Sequence, residues 1–314
     1  MPTPAPKTAD GPPEPPIGKE VRRAEPIATD RPKDSIEMGG WQALLDRLNF
    51  SCGTIDGHFA KRSRRAVTQF QIHRALATTG ELDIETRLNL GKPGDAYIDY
   101  TLTAEDLARI VPRPKGFLEM SKMAALDYYD LWEMLAEKSH STPAFLHQLN
   151  PGVTNLVAGT QLTIPNLEGT RKLPPVGRIV IMVSETTLLA FDTNNKVVAC
   201  FPCSIAADKA KVPNQPLTVA NIAPNPNYTF DPKVLVQAAQ QEGITNKLVL
   251  PPGPNNPVGT AWIGLSLQGY GIHGTPEPED ISRTGSHGCF RLANWNATKL
   301  VNAVRPGIPV EVVP

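Results

Sequence analysis

A multidomain α+β fold is predicted for this 314-residue chain by three observations. Apolar residues between Trp41 and Leu90 recur at helical spacing. Residues 118–166 join a helical stretch to one β-like run. Beyond Pro174-Pro175, short β-branched segments alternate with Asn, Pro and Gly turns, as in a mostly β domain. The length allows two or three compact units, since a domain takes roughly 100 to 200 residues.

Residues 1–34 are rich in Pro and charge and poor in apolar side chains, so burial cannot offset the entropy of ordering; a disordered Pro-rich linker is expected. A small three-helix domain follows over 35–98. Trp41, Leu44, Leu45 and Leu48 mark its first helix, Ala66, Val67, Phe70 and Ala75 the second, and Ile84 to Leu90 the third. Between the first two, Cys52 to Phe59 carries Gly53, Asp56 and Gly57 and should turn tightly. A small α/β module is expected over 117–167. Leu131 to Glu137 reads helical, Leu146 to Gly152 reads as helix then turn, and Ala158 to Pro165 reads as a closing strand.

The mostly β domain is expected over 177–314. Its strands are Arg178–Val183, Thr187–Phe191, Lys196–Ser204, Leu217–Ile222, Ala261–Leu265 and Val310–Val313. Asn194-Asn195 is a hairpin turn, because asparagine tolerates positive φ. Trp295 to Val304 is a helix with Asn294 as its cap.

Composition excludes several classes. The 31 basic and 31 acidic residues cancel, so there is no basic footprint for nucleic acid. No apolar run reaches the length of a membrane span. The four cysteines are few; Cys200 and Cys203, three apart on a strand, face opposite sides and read with Cys52 as buried structural thiols. Neither a Gly-x-Gly-x-x-Gly nor a Gly-x-x-x-x-Gly-Lys-Ser/Thr loop is present, so no nucleotide cofactor is expected. A zinc site from His273, His287 and Cys289 is weighed and set aside for want of a recognisable ligand pair such as His-Glu-x-x-His.

The chemistry concentrates in Ser286-His287-Gly288-Cys289-Phe290-Arg291, preceded by Tyr270-Gly271-Ile272-His273-Gly274-Thr275. A thiol beside an imidazole can be substantially thiolate at neutral pH, so a Cys/His pair suits covalent acyl transfer. Gly288 lets the backbone turn before Cys289 and aim N–H groups at a developing oxyanion. Arg291 can take a carboxylate in bidentate fashion or serve a structural ion pair. His287 is close in sequence to Cys289 and competes with His273 for the base role. Ser286 fits a loop-holding role, and Tyr270 and Trp262 fit a pocket wall or the β core equally well.

His273-Gly274-Thr275 followed by Ser-His-Gly-Cys-hydrophobic-Arg resembles the signature of the L,D-transpeptidases, the YkuD-type cysteine enzymes of bacterial cell-wall synthesis. The run Pro251 to Leu265 is similar to the segment that precedes their catalytic histidine. The resemblance implies Cys289 as nucleophile, His273 as general base and the Gly274 carbonyl as its orienting acceptor. It further implies His287 in a supporting role, and Arg291, Ser286, Gly288, Tyr270 and Trp262 toward substrate. It implies a peptidoglycan stem-peptide substrate and 3→3 cross-links, with L,D-carboxypeptidase or lipoprotein attachment as alternatives, and acylation by carbapenems. A non-catalytic wall-binding protein is the alternative of another class.

Residues 36–92 resemble a peptidoglycan-binding domain, through Ile55-Asp56-Gly57, Ala66-Val67-x-x-Phe70-Gln71 and Gly80-Glu81-Leu82-Asp83. Asn150-Pro151 and Gly159-Thr160-x-Leu162-x-Ile164-Pro165 resemble a degenerate LysM module, which implies glycan strands as a further partner. A wall substrate places the chain in the periplasm or cell envelope. Met1 to Pro6 lacks the basic and apolar regions of an export signal, so a trimmed signal or anchor is expected.

Overall fold

In the computed structural model, which describes residues 35–286 and 288–314, three helices open the chain. The expected linker over 1–34 lies outside the described residues. Helix α1 (Ser35–Arg47) buries Trp41, Leu44 and Leu45, and α2 (Lys61–Arg74) buries Ala66, Val67 and Phe70 against it. Ala75, in the left-handed conformation, ends α2. Helix α3 (Ile84–Leu90) starts on Asp83, whose carboxylate accepts the Thr86 N–H. The buried Gln71 amide ties the connecting loop, donating to Thr79 and Thr86 Oγ1 at 2.8 Å each and accepting from the Gly80 N–H at 2.9 Å.

The second unit comprises β1 (Tyr97–Thr101), α4 (Ala104–Ala108), α5 (Phe117–Met120), α6 (Leu131–Lys138), α7 (Pro143–Leu149) and β2 (Gln161–Pro165). Strands β1 and β2 pair antiparallel, Tyr97 opposite Pro165, and Met134, Leu135 and Leu146 fill the space beneath them. Thr103, Asp130 and Thr142 cap α4, α6 and α7 with side-chain oxygens.

The third unit runs β3 (Val176–Met182), β4 (Thr187–Asp192), β5 (Val197–Pro202), β6 (Leu217–Pro224), β7 (Tyr228–Phe230), α8 (Val236–Glu242), β8 (Leu248–Leu250), β9 (Ala261–Leu265), β10 (Gly271–His273), β11 (Phe290–Arg291), α9 (Asn294–Val301) and β12 (Pro309–Val313). Eight strands make one sheet in the order β11-β10-β9-β6-β12-β3-β4-β5, parallel at β10/β11 and β12/β3. Strands β7 and β8 form a separate ribbon which, with α8 between them, stands off the sheet as an arm. Helix α9 packs on the sheet through Ala297, Leu300 and Val301.

Asn294 does not cap α9. The cap position is Ala293, with no side-chain bond, because the Asn294 amide is committed to the loops beside the site: Oδ1 accepts the Thr260 N–H at 3.2 Å and Nδ2 donates to the Pro254 carbonyl at 3.0 Å. The expected hairpin turn does form, with Asn195 at φ 61°.

All six β5 residues are buried, which one sheet face cannot achieve. The first unit supplies the second cover. Phe50 bridges to Cys200, the Ser51 N–H donates to the Cys200 carbonyl and the Cys200 N–H to the Asn49 carbonyl, both at 2.9 Å, and α2 lies against the strand. Cys200 therefore packs with Phe50 and Phe70 while Cys203 packs in the β core, on opposite sides as strand alternation requires.

All three units meet at Asp46, 1% exposed, whose Oδ1 lies 2.9 Å from His140 Nδ1 and 2.8 Å from Lys299 Nζ. Burial alone would raise this carboxyl; Lys299 and His140 overcome it and hold it far below the usual carboxylate range. His140 stacks on Trp295, ring centroids 4.6 Å apart and planes 9° from parallel. No helix among the described residues is long and apolar enough to cross a membrane.

Candidate active site

Sheet pairing puts the chemistry at one corner. Strand β10 lies between β9 and β11, with His273 opposite Trp262 on one side and Arg291 on the other. Ile272 and Phe290 pair with each other and are fully buried in the core. Side chains alternate along a strand, so His273 and Arg291 take the opposite face, and Cys289, two residues before Arg291, takes it as well. His273 stacks on the Trp262 indole at 5.7 Å.

The Nδ1 of His273 lies 2.6 Å from the Gly274 carbonyl, which can only accept. Nδ1 therefore carries the proton, and Nε2 is left with a free lone pair. Burial pushes the imidazole down to about 4, against the Gly274 hydrogen bond and with some help from the Arg291 charge. Cys289 is half-buried; its Sγ lies 3.5 Å from the Gly269 carbonyl, and burial pushes the thiol up, offset in part by the Gly271 N–H. Burial thus disfavours the charged form of both groups, lowering the His273 imidazole and raising the Cys289 thiol.

Gly274 has no room for a side chain: a Cβ would come 2.2 Å from Asn294 Oδ1. Gly259, at φ 62°, is hemmed in by the same oxygen at 1.9 Å. Asn294 thus leaves room only for glycine at the position whose carbonyl meets His273 Nδ1. Asn256, fully buried, holds the loop before β9 by donating to the Pro251 carbonyl at 2.9 Å and accepting from the Val258 N–H at 3.0 Å.

Ser286 has the loop-holding role, with Oγ donating to the Cys289 carbonyl and accepting from the Gly288 N–H. Arg291 directs one terminal nitrogen to Thr284 Oγ1 at 2.9 Å and the Gly285 carbonyl at 2.9 Å; it has no carboxylate partner among the described residues. Its Nε is buried without a hydrogen bond. Tyr270 packs over Gly288, where a Cβ would lie 3.7 Å from its ring, and donates to the Lys211 carbonyl at 2.8 Å. His287 lies outside the described residues.

Sequence reading missed the roles of Asn256 and Asn294 as ties of the loops beside the site. The pair Asn255-Asn256, within a Pro/Gly-rich run, was the available signal for a buried loop tie. No cluster of His, Cys, Asp and Glu suited to a metal occurs among the described residues.

A cavity of about 430 Å³ opens away from Cys289, between the second unit and Pro276–Asp280. Glu133, Glu137, Glu277 and Glu279 line it, and burial, with Glu133 adding to it, pushes Glu137 up to about 8.

A mostly β sheet with a buried histidine on β10 and a half-buried cysteine just before β11 sets an imidazole and a thiol, the groups that nucleophilic acyl transfer uses, at neighbouring strands. Residues 177–312 match the L,D-transpeptidase catalytic domain, and residues 41–88 match the "Putative peptidoglycan binding domain". It is 26% identical over 184 residues to the "Putative L,D-transpeptidase YkuD" of Bacillus licheniformis, covering 58% of this chain and 93% of that one. The Bacillus subtilis protein of the same name matches with the same identity and coverage. Among solved structures, an L,D-transpeptidase from Mycobacterium smegmatis aligns with a TM-score of 0.35 and 17% identity, over 51% of this chain and 65% of that chain.

Proposed function

We propose that the protein forms 3→3 cross-links in peptidoglycan by acyl transfer through Cys289. The observation that carries this reading is the setting of His273: buried, bound through Nδ1 to the Gly274 carbonyl, and paired across β10/β11 with Arg291, two residues after Cys289. As the carbonyl carbon of diaminopimelate in a tetrapeptide stem is attacked, the thiol proton passes to His273 Nε2 and the S–C bond forms. The C–N bond to D-alanine then breaks, and His273 returns the proton to the departing amine. An amine of a second stem attacks the thioester, its proton passes to His273, and the C–S bond breaks to regenerate the cysteine.

Backbone N–H groups of the Gly288 turn stabilise the oxyanion. Arg291, free of any described carboxylate partner, receives a carboxylate of the donor. Tyr270 and Trp262 wall the site, and His287 supports it. Residues 35–98 hold the enzyme to peptidoglycan, residues 117–167 act as a LysM-like spacer, and the protein works in the cell envelope.

Incubation with disaccharide tetrapeptide, followed by mass analysis of the muropeptides, tests the reaction. Dimer with equimolar release of D-alanine is expected. Tripeptide alone would mean that water is the acceptor, and no Cys289-dependent change would overturn the reading.

A further inference from the structure

Helix α2 belongs to the first unit, the one that matches the peptidoglycan-binding domain, yet two arginines on its opening turns reach into the catalytic unit. Arg62 Nη1 donates to the Ile281 carbonyl at 3.2 Å. Gly53, at φ 92°, leaves room beside that nitrogen; a Cβ there would lie 3.1 Å from it. Arg62 forms no ion pair among the described residues, so the carbonyl is its polar anchor. Arg65, one turn on, donates to the Glu185 carbonyl and, at 3.1 Å, to Thr187 Oγ1, and pairs with the Glu185 carboxylate. It thereby holds the turn between β3 and β4.

Both contacts converge on residues 281–286. Ile281 is buried, and Ser282 follows at φ 64°, in the left-handed region that residues with side chains seldom enter. The Ser282 N–H donates to Ser204 Oγ at 2.9 Å, and its Oγ donates at 3.1 Å to the Thr186 carbonyl, on the turn that Arg65 holds. Ser204 in turn exchanges both backbone hydrogen bonds with Arg291, at 2.9 and 3.0 Å. Every side-chain hydrogen bond of Arg291 among the described residues goes to Thr284 or Gly285. The direction of its guanidinium is therefore set by this segment.

We propose that Arg62 is a positioning residue for Arg291: by holding the Ile281 carbonyl it fixes the segment that aims the guanidinium at the donor's carboxylate. The first unit then shapes the donor site as well as packing on the sheet. Arg62 acts through the segment and not on the reacting atoms. The proposal rests on the reading of Arg291 as the group that receives a carboxylate of the donor.

A double-mutant cycle in full-length protein tests it. Wild type, Arg62→Ala, Arg62→Lys, Arg291→Ala and the Arg62→Ala/Arg291→Ala double variant are compared. Three quantities are read: the steady-state constants for disaccharide tetrapeptide, backbone hydrogen exchange over residues 281–286, and Tm.

Arg62→Ala is expected to raise KM about tenfold with kcat changed less than about threefold, the signature of lost substrate binding. In the Arg291→Ala background the same substitution should change KM less than about twofold, since the group it positions is already gone. Arg62→Lys, which keeps one donor for the Ile281 carbonyl, should fall between wild type and Arg62→Ala. Exchange over 281–286 should quicken several-fold in Arg62→Ala as the segment loosens. A lower Tm with unchanged KM, or an equal rise of KM in both backgrounds, would overturn the positioning role, because a merely structural contact gives either result. Arg291→Ala with the KM of wild type would remove the carboxylate role from Arg291 and the proposal with it. If wild type itself shows no Cys289-dependent turnover, the functional reading fails instead. Exchange still decides the contact in that case: faster exchange in Arg62→Ala upholds the grip on the segment, and unchanged exchange overturns it.

Discussion

In the proposed mechanism the proton inventory of two side chains, His273 and Cys289, governs the chemistry. With His273 held near 4 and the Cys289 thiol above its ordinary range, neither group changes charge across the neutral range. The free enzyme should follow general-base kinetics: kcat/KM flat from about pH 5 to 8, falling below that as His273 protonates. An acid limb close to 6.5 would mean that the imidazole is more exposed than its 7% accessibility indicates. Gly274 is the second residue-scale control. Gly274→Ala would drive a methyl group into Asn294 Oδ1, so a loss of about 1–3 kcal/mol of stability and a larger loss of kcat are expected. Thermal unfolding and steady-state assay would separate the two effects.

Both His273 and His140 have folded pKa values below the ordinary histidine value. Between those values and about 6.5 the unfolded chain binds more protons than the native one, so stability is full at pH 7 and declines as pH falls. Asp46, depressed in its turn, adds a further loss below the usual aspartate range. Urea titrations at pH 7 and pH 5 should show the decline, and His273→Asn should reduce its slope.

At the scale of elements, legibility followed length and periodicity. Helix α3 and strand β9 lie where the apolar pattern put them, and β3 to β6 and β12 fall within a few residues of their expected bounds. The misses have physical causes. Strands β10 and β11 are only three and two residues long, too short to show alternation, although they carry the site. Strand β1, Tyr97-Ile98-Asp99-Tyr100-Thr101, is polar on one side and depends on β2 for its pairing. Asn294 looked like a cap because it precedes an apolar helix; its amide instead ties two loops at the site, a use visible only once Thr260 and Pro254 are brought to it. The candidate nucleophile and base were legible because their motifs are local.

For the whole molecule, the first unit behaves as part of the catalytic fold. It adds backbone bonds to β5 and packs its core on Leu189, Val197 and Cys200, covering a sheet edge that would otherwise be open and apolar. A fragment starting at residue 174 should therefore aggregate or unfold at lower temperature than the full chain, as size-exclusion chromatography and calorimetry would show. Asp46 is the polar counterpart of that interface. Asp46→Asn leaves the Lys299 ammonium buried without its carboxylate, and a loss of about 3 kcal/mol is expected in denaturant unfolding. Together these contacts join the first unit, the second unit and the catalytic sheet.

The most direct measurement is the intact mass of the full-length protein, wild type and Cys289→Ala, mixed with tetrapeptide donor and quenched in acid within seconds. Wild type should gain the mass of the stem less D-alanine, with peptide mapping placing the adduct on Cys289, and Cys289→Ala should gain nothing. An adduct that persists in Cys289→Ala, or D-alanine release equal in both proteins, would contradict catalysis through this cysteine.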